Sequence, residues 1–309
     1  MTRRDGGRFG GVELGGTKTI AVLAHGDAII ARETIPTTTP AETLARAHGQ
    51  LIAWHAEAPL DGIGIASFGP IRLDRTAPDF GHMLPTPKHG WTHADVAGGL
   101  TRGIDCPWAI DTDVNGAALA EYRWGGGAEL DSLCYITIGT GVGGGLLIGG
   151  RPVHGALHPE IGHVRARRAA GDRFAGTCPF HGDCVEGLVS GPALAARFGR
   201  PMETVDDDDA LWEHVASDLA EISAMLLLTT AAQAILFGGG VAVRRGFLFP
   251  RIRARALDLL QGYLPAFDTR SATAMIGPAH LGDQAGPLGC IALAQAACLD
   301  ERGAPSAAG

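Results

Sequence analysis

The sequence has no run of apolar residues approaching the roughly 18 needed to cross a bilayer, so no membrane-spanning helix is expected. It also lacks a basic run. With 33 Asp and Glu against 25 Lys and Arg, the formal charge is −8, which argues against nucleic acid as the main partner. The opening MTRRDGGRFGG carries two arginines but no apolar stretch behind them, so it does not read as a signal peptide. Six cysteines in 309 residues make no disulfide scaffold. Two of them stand at a metal-like spacing, which fits a reducing cytoplasm. What the sequence does have is 46% hydrophobic against 19% charged residues. That buries a large core and excludes a disordered chain. At roughly 150 residues per domain, the length suggests two domains.

Strand and helix patterns alternate, which predicts an α/β fold. Residues 9–23 read as strand, glycine turn, strand, and 27–34 as a third strand. Thr39-Pro40 has the form of a helix N-cap followed by Pro at the first helical position. Residues 62–66 (GIGIA) read as a short buried strand. Residues 67–91, with four prolines, read as a shaped loop. A strand is expected at 107–111, a helix at 114–124, a strand–turn–strand at 133–148, and a long apolar helix at 212–232. A buried strand at 235–237 then runs into Gly238-Gly239-Gly240, and a closing helix spans 283–299. The acidic run Asp206 to Asp209 reads as the solvated start of a helix, favoured by the helix dipole.

Glu13-Leu14-Gly15-Gly16-Thr17-Lys18 is neither a Walker loop, whose spacing is absent, nor a dinucleotide fingerprint, because a strand follows the glycines where a helix should open. It reads as a tight hairpin. Glycines there let backbone N–H groups approach an anion, while Thr17 adds a hydroxyl and Lys18 a charge. An ordinary glycine-rich hairpin is the alternative. Gly139-Thr140-Gly141-Val142-Gly143-Gly144-Gly145 repeats the device. Two such hairpins, each between apolar strands, suggest a duplicated domain holding a nucleotide. Gly238, Gly239 and Gly240 would let a flat base lie against backbone, or are a plain strand-to-helix turn.

Asp113, near the start of the helix after PWAID, gains from the helix dipole as an ionised carboxylate. It can accept a proton from an attacking alcohol, or be a simple N-cap. Cys178-Pro-Phe-His181-Gly-Asp-Cys184, with His163 upstream, offers four ligands, the number that closes a structural Zn²⁺ site. His154 and His158 are rival ligands, and unrelated surface Cys and His are the alternative. Glu160 and Glu186 flank the knuckle and could accept hydrogen bonds from sugar hydroxyls.

GGVELGGTK, GIASFGPI, LPTPKHGW, DTDVNGAALAE, ITIGTGVGGG, HPEIGHV, CPFHGDCVEGLVSGPA and LGDQAGPLGCIALA, in this order, resemble the ROK (repressor, open reading frame, kinase) family of sugar kinases, and within it the zinc-containing fructokinases. The resemblance covers nearly the whole chain. It implies an actin-like (ribonuclease H-like) ATPase fold of two α/β lobes with a central cleft that closes over sugar and ATP. The lobes are expected at 1–115 with the C-terminal helix 285–300, and at 116–284 with the zinc loop 163–184, hinged near 114–125.

The activity implied is transfer from ATP to a hexose 6-hydroxyl, D-fructose first and mannose or glucose as the alternative. Asp113 would be the base, and Thr112, Glu160, His163 and Glu186 would contact sugar. Gly15, Gly16, Thr17, Lys18, Gly139, Thr140, Gly141 and Gly238 to Gly240 would hold nucleotide, with Mg²⁺ near Glu13 and Asp113. His163, Cys178, His181 and Cys184 would hold zinc. Thr112 stands where many members have Asn, and Glu13 where they commonly have Asp, as in fructokinase-like members. The family's repressors carry a DNA-binding winged helix ahead of the first strand, and only about eight residues precede that strand here. A non-catalytic sugar sensor is the rival from another class, and a homodimer the expected assembly.

Overall fold

Alternation of apolar residues with glycine and β-branched residues opens the chain as a meander. The structure, a computed structural model, describes residues 6–303; Arg3 and Arg4 of the opening segment lie outside them. Strands β1 (Arg8–Leu14), β2 (Lys18–His25) and β3 (Ala28–Pro36) run antiparallel. Helix α1 (Pro40–Glu57) starts where expected: the Thr39 hydroxyl accepts from the Glu42 N–H, with Pro40 in the first turn. Strand β4 (Gly62–Ser67) pairs parallel with β1, and β5 (Trp108–Thr112) parallel with β4. Between them lies α2 (Val96–Thr101). That short helix escaped sequence reading, because Val-Ala-Gly-Gly-Leu-Thr carries two glycines and too few residues to show a period. Helix α3 (Asp113–Trp124) leaves β5 directly.

The second half repeats this plan. β6 (Ser132–Ile138), β7 (Val142–Ile148) and β8 (Arg151–Pro152) form an antiparallel meander. Helices α4 (Val185–Val189), α5 (Gly191–Phe198) and α6 (Trp212–Thr230) follow. Strand β9 (Ala234–Gly238) pairs parallel with β6. Helices α7 (Gly239–Arg244), α8 (Leu248–Leu260) and α9 (Ala272–Met275) lead to β10 (Ile276–Pro278), parallel to β9. The first sheet has the order β3-β2-β1-β4-β5, and the second, read in the same sense, β8-β7-β6-β9-β10. Each strand of one sheet has a counterpart in the other with the same neighbours and the same directions. Helix α10 (Ala285–Gly303) closes the chain after a short turn at 282–284.

Two units result. One comprises residues 6–123, 154–158 and 283–303, and the other 124–153 and 159–282. The first boundary falls after residue 123, one residue before the end of α3, so that all of this helix but Trp124 lies in the first unit. Gly116 packs on Ala66 of β4 and on the backbone of Gly289 in α10. Helix α10 lies against β4, β1 and β5 of the first unit. Gly62 and Gly64 make this approach possible, since a Cβ on either would strike the α10 backbone at Ala294 or Cys290. The alternation in GIGIA therefore carries two faces, with Ile63 and Ile65 turned into a core that includes Leu14, Leu51, Trp91 and Leu100. The second unit has its own core around Ile136, Leu188, Trp212, Leu219, Phe237 and Ile252. The acidic run proved not to start a helix. It lies in the turn before α6, whose first-turn acid is Glu213, and Asp207 and Asp209 pair with Arg245 and Arg200.

Candidate active site

In the first unit the ends of β1, β4 and β5 lie side by side, Leu14 beside Ser67 and Ser67 beside Thr112, on the edge of the sheet where the first glycine hairpin turns. Gly15 N–H donates to Lys18 O across the turn at 3.1 Å. A Cβ on Gly15 would crowd that carbonyl at 2.7 Å, so the tight turn demands glycine here. Thr37 secures the turn from outside: its hydroxyl donates to Gly15 O at 2.8 Å and its N–H to Thr17 O at 3.0 Å. Gly16, Thr17 and Lys18 are exposed at the tip.

Glu13, on β1 just before the hairpin, has one carboxylate oxygen fully buried and without a hydrogen-bond partner. Burial pushes its carboxyl above the usual range, against the pull of Lys18 and Arg32. The start of α10 comes so close to it that a Cβ on Gly286 would overlap the Glu13 carboxylate.

Asp113 heads α3, and its Oδ1 accepts from the N–H of Val114 at 2.9 Å. Thr112 caps the helix, its hydroxyl accepting from Asn115 N–H at 3.1 Å. Beneath them Asp111 is buried. Its Oδ1 accepts from the Thr112 N–H and the Asn115 amide, both at 2.7 Å, and its Oδ2 lies 3.0 Å from His154 Nε2. Donating this hydrogen bond to Asp111 raises the His154 pKa, with desolvation opposing. His158, also buried, receives the N–H of Ile71. Both rivals for the metal site are thus engaged inside the first unit. The Asp111–His154–Asn115 cluster was not anticipated, although the strand-to-helix sequence DTDVN puts Asp111 and Asn115 at the i, i+4 spacing that joins them.

In the second unit the other hairpin is closed by Gly139 N–H donating to Gly141 O at 2.9 Å. Glu186, in the first turn of α4, accepts from the Val142 N–H at 3.1 Å, and a Cβ on Gly141 would sit 2.8 Å from its oxygen. The sequence offers Glu186 to sugar and hides this bond, because two residues 44 apart give no local signal of contact. Burial first, and then the Glu186 carboxylate, hold Glu160 above the usual carboxylate range. The third glycine cluster adjoins the same hairpin. Thr137 pairs with Gly238, and Gly239, at φ +81°, lies so close to Ile138 that a Cβ would hit its backbone.

The knuckle residues come together. The ligand atoms of His163, Cys178, His181 and Cys184 all lie within 4.8 Å of one another. His163 Nδ1 is 3.8 Å from Cys178 Sγ and 3.6 Å from Cys184 Sγ, and His181 Nδ1 is 3.7 Å from Cys178 Sγ. A tetrahedral zinc with bonds of about 2.3 Å to sulfur and 2.0–2.1 Å to nitrogen separates S and N by about 3.5–3.6 Å, so the donor set fits. The backbone shapes this loop: Cys178 and Gly182 exchange two N–H···O bonds, and Arg165 braces Asp183 at 3.6 Å. Both thiols are buried, while His181 faces out.

The ROK family model matches residues 9–297. A fructokinase of Zymomonas mobilis is 40% identical over 94% of this chain and 97% of its own length. The ROK hexokinase of Thermus thermophilus superposes with a TM-score of 0.72 at 27% identity, over 95% of this chain and 99% of that one. A ROK family glucokinase of Streptomyces griseus, solved in complex with glucose and AMPPNP, gives 0.69 at 26% identity, over 94% of this chain and all of that one. No helix among the described residues is long and apolar enough to cross a membrane. With its doubled sheet order and a match spanning nearly every described element, the chain belongs to the ROK family and has the actin-like ATPase fold of that family's kinases.

Proposed function

We propose that the chain transfers the γ-phosphoryl group of ATP to the 6-hydroxyl of a hexose, D-fructose first. Its 40% identity to a fructokinase over nearly the whole of both chains carries this reading. Asp113 is the general base: the helix start on which it sits favours its ionised form, and it takes the hydroxyl proton as the oxygen attacks phosphorus. Thr112, Glu160, His163 and Glu186 orient the sugar. Backbone N–H groups of the hairpins at Gly15–Lys18 and Gly139–Gly141, with the Lys18 ammonium, hold the phosphate chain, and Gly238 to Gly240 receive the base.

Mg²⁺, when bound, neutralises phosphate charge. Glu13 is the residue that would hold it through water, since its buried orphan oxygen is a hard donor wanting a partner. Zinc, when bound by His163, Cys178, His181 and Cys184, fixes the loop between Glu160 and Glu186. His163 would use Nδ1 for the metal, which leaves Nε2 as a donor to sugar.

A hexose panel compared by kcat/KM with ATP tests the assignment: fructose should rank first, and a higher value for glucose or mannose would overturn the fructose choice. Asp113→Asn should retain sugar binding and lose ~10²-fold or more in kcat. A variant within twofold of wild type would remove Asp113 from this role.

A further inference from the structure

The loop 85–91 in the first unit, between β4 and α2, carries a lysine that the reading above leaves unused. Its base is firmly anchored. Trp91 is fully buried, its indole N–H donates to Thr38 O at 2.9 Å, and its ring meets Phe68 edge-on at 5.1 Å. The N–H of Trp91 also closes a turn onto Lys88 O at 3.2 Å, and Lys88 N–H donates to the Thr86 hydroxyl at 3.4 Å. From this base the Lys88 side chain runs past the Phe68 ring, 5.9 Å from its centroid, and its Nζ donates to Gly16 O at 2.5 Å. Gly16 is the tip of the first glycine hairpin, and a Cβ there would meet nothing within 4 Å. A full positive charge is thus delivered to the outer end of the hairpin beside Lys18.

We propose that Lys88 is a second phosphate-binding lysine of this hairpin, contacting the terminal phosphates of a nucleoside triphosphate. The inference rests on the kinase reading for its ligand. A carbonyl dipole uses one of three ammonium N–H groups and does not neutralise the charge. A phosphate oxygen supplies the missing countercharge and accepts the remaining donors. A mere staple for the hairpin would not need a long, flexible cation.

The test is binding of ATP, ADP and AMP to the full-length chain, measured calorimetrically without turnover, for wild type, Lys88→Met, Lys88→Gln and Lys88→Arg. Lys88→Met and Lys88→Gln should each weaken ATP roughly 10-fold or more, the scale of one charge-assisted hydrogen bond. AMP binding should stay within twofold, and Lys88→Arg should retain most of the ATP affinity. Lys88→Gln keeps a donor for Gly16 O but no charge, so wild-type ATP affinity in that variant would make Lys88 a structural staple and overturn the assignment. A change in hexose KM alone would overturn it too. Tight ATP binding by a wild-type chain that phosphorylates no hexose would instead fail the hexokinase reading while leaving Lys88 to be judged on its own numbers.

Discussion

At the scale of single residues, the role proposed for Glu13 sets function against stability. A carboxylate held above its usual range by burial is a charge that the fold tolerates at a cost. Because its folded pKa is raised, whatever it contributes to stability is present at acid pH. That contribution is lost as pH climbs from the ordinary carboxylate value through the raised one. Glu13→Gln should therefore raise the melting temperature at pH 8, leave it nearly unchanged at pH 4, and weaken the response of activity to Mg²⁺. Thermal melts at the two pH values and a Mg²⁺ titration read this directly, and an equal shift at both pH values would show that charge is not the cause. Where the hairpins turn and which His and Cys gather was legible in the sequence. The glycine hairpins and the zinc quartet announce themselves because their demands are local, a backbone turn or a C-x₂-H-x₂-C spacing. The bond from Val142 to Glu186, the pairing of Asp111 with His154 and the reach of Lys88 to Gly16 were not legible, since each joins distant positions that only the folded sheet brings together.

At the scale of elements, the loop that carries His163, Cys178, His181 and Cys184 is a small module in a unit that has its own core. Structural zinc in an isolated peptide is worth on the order of 10 kcal/mol at neutral pH. Here Trp212, Leu219 and Phe237 pack in a core that contains none of the four ligands, so a bound zinc would order the loop and not the unit. Chelation should raise the KM for sugar and lower kcat, while ATP binding and most of the helical circular dichroism persist. His163→Ala should impair sugar affinity more than Cys184→Ser, because it removes both a ligand and a sugar donor. Metal analysis that finds no zinc in protein purified without chelator would refute this, as would sugar kinetics untouched by chelation. Long elements were legible because α1, α6 and the hairpin strands hold a hydrophobic period over many residues. Among the pieces that went unread, α2, α4, α7, α9, β8 and β10 have six residues or fewer, too short for periodicity to stand out, while α5 and the thirteen-residue α8 went unread despite their greater length.

At the scale of the whole molecule, the same five-stranded plan occurs twice, and the glycine hairpin stands at the same place in each, between the first and second strands. The two hairpins in the sequence already pointed to this duplication. The resemblance already implied the return of the C-terminal helix to the first lobe; the sequence did not reveal that residues 154–158 also complete the first unit. Helix α10 covers Gly62 and Gly64 and puts Gly289 against Gly116, close behind Asp113. A chain ending at residue 284 should lose hydrogen-exchange protection throughout β1, β4 and β5 while β6 and β9 stay protected. Equal loss in both sheets would mean that the units do not hold their structure separately.

This discontinuity also sets a timetable for synthesis. The second unit is contiguous apart from five residues and can fold as soon as residue 282 leaves the ribosome. The first unit is translated earlier, but its β4 glycine face stays uncovered until α10 arrives. At 5–20 residues per second, translation from residue 124 to residue 284 takes roughly 10–30 s. Throughout that interval a nearly finished mixed sheet waits with the face that α10 covers still open. The nascent chain should therefore depend on chaperones at this stage, and codon changes that slow the stretch before residue 285 should lower the yield of soluble protein more than equal slowing before residue 40.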